Sequence, residues 1–247
     1  MSLDKKFPTE IVELPSKGVL YPESSPLSSG QVEMKYMTAK EEDILTNQNY
    51  IATGVVIDKL IQSLIVDKSI DYKELLVGDK NALLIASRIL GYGAEYDFNY
   101  GGEKITINLS ELSNKELEEG TFTQGENKFD YELPATGTTI TYKLLTHGDE
   151  VLIDQEIAGV KKIYKDASPE ISTRLKYMIT AVAGNEDKND IREFVDNGFL
   201  ARDARAFRKH LATVQPDINL KFFPENGPEG GVDIPIGVTF LWPDAGV

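Results

Sequence analysis

The sequence contains no cysteine in its 247 residues. Disulfide bridges, thiolate zinc sites and cysteine nucleophiles are therefore excluded. Basic residues are scarce, with 26 Lys and Arg against 40 Asp and Glu, which gives a net charge of −14. Broad nucleic-acid binding needs a basic surface that displaces phosphate counterions, so we do not expect it here. A chain this acidic is suited to a basic protein partner.

Long apolar runs are also missing. The opening residues, MSLDKKFPTE, lack the apolar core of a signal peptide, and no apolar stretch is long enough to span a bilayer. We therefore expect a soluble protein that is made and used inside a cell. Hydrophobic residues make up 41% of the chain, which is near the globular norm and sufficient for a buried core.

The order of apolar patterns predicts an α+β fold with a helical core, an inserted antiparallel β-hairpin unit, an extended N-terminal arm and a C-terminal strand. The predicted segments are 1–37 (arm and short strand), 38–94 (first helical part), 95–145 (β insertion), 146–215 (second helical part) and 216–247 (C-terminal turn and strand segment). We expect residues 95–145 to form one small sheet unit, with Gly101-Gly102 as the turn of its first hairpin.

Several helix boundaries follow from capping residues. Thr38 and Glu41 form a capping box, Asp79 is predicted to cap the next long helix, and Gly91 is predicted to end it. In the second half, Ser168 is predicted to cap a helix that continues to Gly184. Apolar stripes at helical spacing predict the buried faces of two helices, Ile153, Ile157, Val160 and Tyr164 on one, and Ile171, Leu175, Met178, Ile179 and Val182 on the other.

Candidate chemistry is sparse, because there are only two histidines, His147 and His210. His147 could form an acid–base pair with Asp149 or Glu150. The alternative is that this cluster simply opens a helix, where carboxylates complement the dipole, and we favour it. The dense carboxylates Asp149, Glu150, Asp154 and Glu156 could hold a hard cation, although such spacing is more often a solvated helix face.

One helix is basic in this acidic chain. The segment LARDARAFRKHLATV carries Arg202, Arg205, Arg208 and Lys209, opposed only by Asp203. A DNA-recognition helix would need base-reading polar residues at its N-terminal end, where this segment has leucine and alanine. We favour a helix whose cations form salt bridges, either within the chain or across a protein interface. His210 is expected to face solvent.

Three segments of the sequence resemble a known protein family. LPSKGVLYPESSPLSSGQVEMKYMTAKEEDILT, GVVIDKLIQSLI and the terminal VDIPIGVTFLWP resemble a family of baseplate and hub proteins from T-even-like contractile-tailed bacteriophages. The resemblance implies a virion protein of the tail baseplate hub that binds other tail proteins, present in the host cytoplasm during assembly, without enzymatic activity or a cofactor. The alternative is an assembly chaperone of the hub that is not incorporated into the particle.

The chain departs from that family at one point. Many members carry a Cys-Pro-x-Cys-Gly knuckle before the terminal strand, whereas the aligned residues 223–227 here are FPENG. Both thiolate positions are lost, so no metal is expected. We expect packing of Phe222, Phe223 and Trp242 to hold the turn instead.

The arm, the basic helix and the tail are therefore the predicted contact regions. The residues predicted to bind a partner are Leu14, Leu20, Tyr21, Arg202, Arg205, Lys209, Phe223 and Trp242. The expected partners are other phage baseplate and tail proteins, with neither nucleic acid nor membrane. Whether the chain enters a homo- or a hetero-oligomer is left open, as is whether the two apolar termini fold back on their own domain.

Overall fold

The computed structural model describes residues 8–116, 122–166, 168–224, 227–236 and 238–242. It has the predicted α+β fold, in which helices build the larger part of the body and carry small antiparallel sheets. One hydrophobic core joins residues from the arm, both helical parts, the hairpins and the tail.

The helices are α1 (Ala39–Leu45), α2 (Gln48–Ala52), α3 (Val56–Leu64), α4 (Val77–Tyr92), α5 (His147–Ile163), α6 (Glu170–Met178), α7 (Lys188–Glu193), α8 (Ala201–Val214) and α9 (Val238–Leu241). Short 3-10 turns cover Pro26–Ser29, Tyr72–Glu74 and Leu109–Glu111, and a π turn, Phe194–Gly198, extends α7. The strands are β1 (Thr9–Glu13), β2 (Gln31–Lys35), β3 (Glu95–Tyr100), β4 (Glu103–Asn108), β5 (Phe129–Glu132), β6 (Thr139–Tyr142), β7 (Ile179–Val182), β8 (Lys221–Phe222) and β9 (Val232–Asp233). They pair as β1-β2, β3-β4, β5-β6-β7 and β8-β9, all antiparallel.

The N-terminal arm folds onto its own chain. β1 pairs with β2 in a register that places Val12 opposite Val32. Beyond β1, the arm buries Leu14, Leu20 and Tyr21 in the core. Of the two alternatives for the arm, docking on another protein or folding back, the structure has the second.

Asp79 does not cap α4, contrary to the prediction. The helix begins at Val77, and the Asp79 side chain in its first turn is fully buried. One carboxylate oxygen accepts from the backbone N–H of Ser16 at 2.9 Å, and the other accepts from the hydroxyls of Ser16 at 2.7 Å and Tyr21 at 2.6 Å. The carboxylate therefore accepts hydrogen bonds from the arm and not from the backbone of α4. The helix ends at Tyr92, one residue beyond the predicted stop.

The two hairpins form as predicted, but they belong to different sheets. Gly101 and Gly102 both have positive φ, at 61° and 89°, which suits a two-residue turn between β3 and β4. β6 pairs with β5 on one side and with β7 on the other, and β7 comes from the second helical part. The insertion 95–145 is therefore not a single sheet unit, because its second hairpin needs a third strand from elsewhere.

The helix predicted to run from Ser168 to Gly184 is half helix and half strand. α6 begins at Glu170 with Pro169 as its N-cap, and the chain becomes extended from Ile179 onward. Residues Ile179–Val182 are mostly β-branched and pair with β6, so tertiary pairing overrides the helical spacing. Two apolar residues assigned to buried helical faces, Tyr164 and Ile171, are exposed.

The C-terminal strand is shorter than predicted. Extended pairing ends at Asp233, and residues 238–241 form the short helix α9. Pro235 lacks a backbone donor for a longer ladder, and its carbonyl instead accepts from the Tyr96 hydroxyl at 2.6 Å. Phe240 and Leu241 are buried, so the chain's own core covers most of the apolar end.

Candidate interaction surface

Helix α8 divides sharply into a buried and an exposed face. Its inner face holds the buried residues Asp203, Phe207 and Leu211, at helical spacing. The opposite face carries Arg202, Arg205, Arg208 and Lys209, all exposed. These four residues, which we call the basic face, lie within about one third of the helix circumference at 3.6 residues per turn.

Aromatic packing fixes the orientation of α8. The fully buried Phe207 ring lies 5.0 Å from the Tyr142 ring and 5.5 Å from the Tyr131 ring, centroid to centroid. His210 stacks on Tyr131 at 4.5 Å, and its Nε2 lies 2.7 Å from the Tyr142 hydroxyl oxygen. His210 is therefore half-buried against the β5-β6 hairpin, contrary to the prediction that it faces solvent, and burial lowers its pKa.

Asp203 is the only acidic residue of α8, and it does not neutralise the basic face. The Asp203 carboxylate is fully buried and accepts from the Ala135 backbone N–H at 2.7 Å and the Thr136 hydroxyl at 2.9 Å. Both donors belong to the loop between β5 and β6. Asp203 thus ties the helix to the hairpin and is turned away from the four cations.

The basic face has no counter-charge in the part of the chain that the structure describes. None of its four residues forms an ion pair or a side-chain hydrogen bond there. Other helices are different, since Arg174 pairs with Glu150 and Arg192 pairs with Glu156, each at 2.7 Å. The salt bridges that we expected for α8 are not formed within the described chain, and the interface alternative stays a prediction.

The predicted contact residues of the tail differ in exposure. Phe223 is 60% exposed. Phe222 packs its ring edge against Phe98 at 5.7 Å, and the half-buried Trp242 donates from Nε1 to the Leu45 carbonyl at 3.1 Å. Phe222 and Trp242 thus attach the tail to the body, whereas Phe223 projects outward. Residues 225 and 226 of the expected knuckle lie outside the described residues.

The predicted contact residues of the arm are not at the surface. Leu14, Leu20 and Tyr21 are each at most 4% exposed and belong to the core. In this conformation they offer no area to a partner. Among the eight predicted residues, the exposed ones are therefore Arg202, Arg205, Lys209 and Phe223.

His147 lies in a polar cluster that the sequence pattern did not predict. Its Nδ1 is 3.0 Å from the Lys80 Nζ, and its Nε2 is 3.4 Å from an Asp58 carboxylate oxygen. Lys80 also pairs with Asp58 at 3.0 Å, and the Tyr72 hydroxyl donates to Asp58 at 3.0 Å. The cluster joins α3, α4 and the start of α5. No sequence spacing pointed to it, because its members are far apart along the chain.

The electrostatics of the cluster favour a neutral imidazole. Burial and the Lys80 ammonium lower the pKa of His147, and the Asp58 carboxylate opposes them. Because Lys80 can only donate, Nδ1 must accept, which leaves the proton on Nε2 facing Asp58. The proposed acid–base partner Asp149 is engaged elsewhere, with Lys143 at 2.7 Å and with the backbone N–H of Thr146 at 3.0 Å. The helix-opening interpretation of this segment is confirmed, since Thr146 and Asp149 form a capping box.

Within the described ranges, no group of three or more histidine or carboxylate side chains is placed to hold a metal ion. Three of the dense carboxylates of α5, Asp149, Glu150 and Glu156, each face a lysine or an arginine. Likewise, no helix in the described part of the chain is long and apolar enough to cross a membrane.

Comparison of the chain with protein-family models, with curated proteins and with solved structures finds no match in any of the three.

Proposed function

We propose that this chain works by binding other proteins, as a structural component of the tail baseplate hub of a contractile-tailed bacteriophage. The observation that carries the binding role is the basic face of α8, which is exposed and forms no ion pair with any described residue, in a chain of net charge −14. Cations held on a rigid helix attract an acidic partner surface, and they steer its approach and set its orientation. The baseplate assignment comes from the resemblance of the N-terminal and C-terminal segments to baseplate and hub proteins of contractile-tailed bacteriophages.

The mechanism that we propose is docking without turnover. The partner supplies the carboxylates that Arg202, Arg205 and Lys209 do not meet among the residues that the structure describes. Asp203 and Phe207 anchor α8 to the hairpin, so the helix needs little reorganisation when a partner binds. Phe223 adds an exposed aromatic side chain on the tail, of the type that often anchors interfaces.

Charge reversal on the basic face tests the binding role. The double variant Arg202→Glu and Arg205→Glu is expected to block incorporation of the chain into particles while leaving its fold intact. The matched control is Lys59→Glu and Lys188→Glu, which reverses two exposed lysines on other helices, neither of them in an ion pair within the described ranges. If both double variants assemble equally well, the basic face is not the docking surface.

Mass spectrometry of purified particles tests the baseplate assignment and separates it from the chaperone alternative. Detection of the chain in mature particles supports a structural component. Its absence from particles, together with its requirement during assembly, favours the non-incorporated chaperone. A duplex-DNA titration adds a third outcome, since salt-dependent binding that is lost on Arg205→Glu would replace the protein partner with nucleic acid.

A further inference from the structure

An open pocket of about 560 Å³ lies where the β1-β2 sheet, the first turn of α1 and the end of α3 meet. Its lining includes three lysines, one carboxylate and two apolar residues, which are Lys35, Lys40, Lys68, Glu33, Ile65 and Val66. We call it the lysine pocket. Its volume is within the range of sites that hold small molecules. Three lysines in one pocket are unexpected in a chain of net charge −14.

Sheet pairing brings the walls of the pocket together. Ile65 forms an antiparallel bridge with Met34, and the Val66 backbone N–H donates to the Glu33 carbonyl at 3.0 Å. The residues that follow α3 therefore run beside β2. As a result, lysines from β2 and from the chain beyond α3 line one pocket although they are distant in the sequence.

One lysine of the pocket is neutralised within the chain. The Lys35 Nζ lies 2.7 Å from a carboxylate oxygen of the fully buried Glu41. The same oxygen accepts from the Ser63 hydroxyl at 2.8 Å. The other oxygen accepts from the hydroxyl of Thr38 at 2.6 Å and from its backbone N–H at 3.0 Å. With four donors already bound, this carboxylate has no acceptor site left for the other two lysines.

Lys40 and Lys68 have no carboxylate partner among the described residues. The Lys68 ammonium donates to the carbonyls of Gln62 and Ile65 at the end of α3, which holds it in place and leaves one of its three donors free. A cation there complements the helix dipole. Lys40 is exposed in the first turn of α1, where the dipole disfavours a cation, so its own helix does not account for it.

The acidic residues around the pocket are few. Glu33 is the carboxylate of the lining, and it accepts from the Thr9 hydroxyl at 2.6 Å. Two exposed acidic residues next to the lysines in sequence, Glu42 and Asp67, lie outside the lining. Asp67 accepts from the backbone N–H and the hydroxyl of Ser69, at 2.8 Å and 2.7 Å. Within the described lining, Glu33 and the buried glutamate beneath it are therefore the carboxylates that oppose the three lysines.

The charges that act on Lys68 are unbalanced. Partial burial lowers the pKa of its ammonium, the Lys35 and Lys40 ammoniums lower it further, and the Glu41 carboxylate opposes them. Glu33 is not among the charges that shift this pKa. Three ammoniums therefore meet one carboxylate at this end of the pocket, and the pocket stays positive even when Glu33 is counted. Binding of an anion relieves such an excess.

We propose that the lysine pocket binds the phosphate group of a small organic phosphate monoester. Such a group carries about two negative charges at pH 7 and presents three acceptor oxygens. It therefore matches the excess charge beside Lys68 and the unused donors of the three lysines. The exposed Val66 side chain in the lining offers an apolar contact to the rest of the molecule. This site is separate from the basic face of α8 and does not depend on the proposed function.

Calorimetric titration of the full chain with phenyl phosphate and with benzoate tests the proposal, because the two probes share a ring and differ in charge. We expect one site that binds phenyl phosphate at least about tenfold more tightly than benzoate. Lys40→Gln should weaken the binding of phenyl phosphate by about tenfold, and Lys40→Arg should restore most of it. Lys188→Gln, at an exposed lysine of α7, is the matched control and should leave the affinity unchanged.

The Lys68 ammonium gives a second readout, which a merely structural lysine would not show. Carbon-13 NMR of the lysine ε-carbons follows its titration, with Lys68→Gln to assign the signal. We expect phenyl phosphate to raise the pKa of Lys68, because a bound dianion offsets the two neighbouring ammoniums. The Lys188 signal should not move. Because Lys40 is exposed and forms no ion pair in the described chain, Lys40→Gln should unfold at the same temperature as the parent chain.

Several results would overturn the proposal. Equal affinities for phenyl phosphate and benzoate would do so, as would an affinity that Lys40→Gln does not change or a Lys68 pKa that does not respond to the ligand. Inorganic phosphate that binds as tightly as phenyl phosphate would reject the apolar contact. A phosphoserine peptide that binds at least about tenfold more tightly than phenyl phosphate would make another protein the source of the phosphate and reject the small molecule.

Discussion

The Tyr21 hydroxyl donates to the Asp79 carboxylate at 2.6 Å, between residues 58 positions apart in the sequence. The same tyrosine oxygen accepts from the Leu76 backbone N–H at 2.9 Å. The N-terminal arm is thereby hydrogen-bonded to the first turn of α4 inside the core. Burial raises the pKa of both Asp79 and Tyr21, which reflects how little water reaches this contact.

We expect Asp79→Ala to destabilise the chain by about 3 kcal/mol, because it leaves the buried donors of Ser16 and Tyr21 without an acceptor. Urea unfolding measures the loss. Limited proteolysis should then cleave the arm before about residue 30, since the arm loses its anchor. Asp43→Ala, at an exposed position of α1, is the matched control and should change the free energy of unfolding by less than about 0.5 kcal/mol. An arm that stays protected in Asp79→Ala would contradict this role.

His147 should make stability depend on pH. Its pKa in the folded chain lies below the ordinary value of 6.5, so the unfolded chain takes up the proton first. Stability is therefore retained above pH 6.5 and falls as the pH drops from there toward the folded pKa. Protonation places an imidazolium beside Lys80, and Asp58, Glu150 and Asp154 only partly compensate.

The test compares the free energy of unfolding at pH 7.5 and pH 5.5 in the parent chain and in His147→Gln. We expect the free energy of unfolding to fall less between these two pH values in the variant than in the parent chain. The other titratable groups are the same in both proteins, so their contributions cancel in the comparison. His210→Gln should remove a separate contribution, since burial alone lowers the pKa of that histidine. Equal slopes for the parent and His147→Gln would show that the cluster does not sense pH.

Two helical glycines should respond in opposite ways to the same substitution. A Cβ at Gly78 would lie 1.8 Å from the Pro216 carbonyl oxygen, whereas a Cβ at Gly159 meets nothing within 4 Å. Gly159→Ala should stabilise the chain by up to about 1 kcal/mol through helix propensity. Gly78→Ala should destabilise it by about 2 kcal/mol or more, because the backbone of the 215–217 segment must move. Thermal unfolding of both variants measures the contrast. Changes of the same sign in the two unfolding temperatures would contradict it.

Neutralising the basic face should have little effect on stability. Arg205→Gln removes an exposed cation that forms no ion pair in the described part of the chain, so the expected change is below about 0.5 kcal/mol. Asp203→Ala on the same helix should cost about 2 kcal/mol, because the Ala135 backbone N–H and the Thr136 hydroxyl lose a charged acceptor. Chemical denaturation of both variants checks the contrast. Strong destabilisation by Arg205→Gln would mean that the basic face serves the fold itself.

Local patterns in the sequence were sufficient for much of the secondary structure. The Thr38–Glu41 capping box and the Gly101-Gly102 turn depend on contacts within a few residues. The α+β class follows from the change of apolar spacing from helical to alternating along the chain. The basic face was also predictable, because a helix that buries Phe207 and Leu211 must turn Arg202 and Arg205 outward.

The remaining features depend on which distant segments meet in the folded chain. Asp79 binds the arm instead of capping α4, Ile179–Val182 joins a sheet, and His147 meets Asp58 and Lys80. Helical spacing continues through Tyr164 and Ile171 although the core does not reach them. Propensity and spacing report the preferences of neighbouring residues, whereas burial and pairing are set by the whole packed chain. The need to supply hydrogen bonds to a buried carboxylate, and the pairing that completes a sheet, outweigh those local preferences.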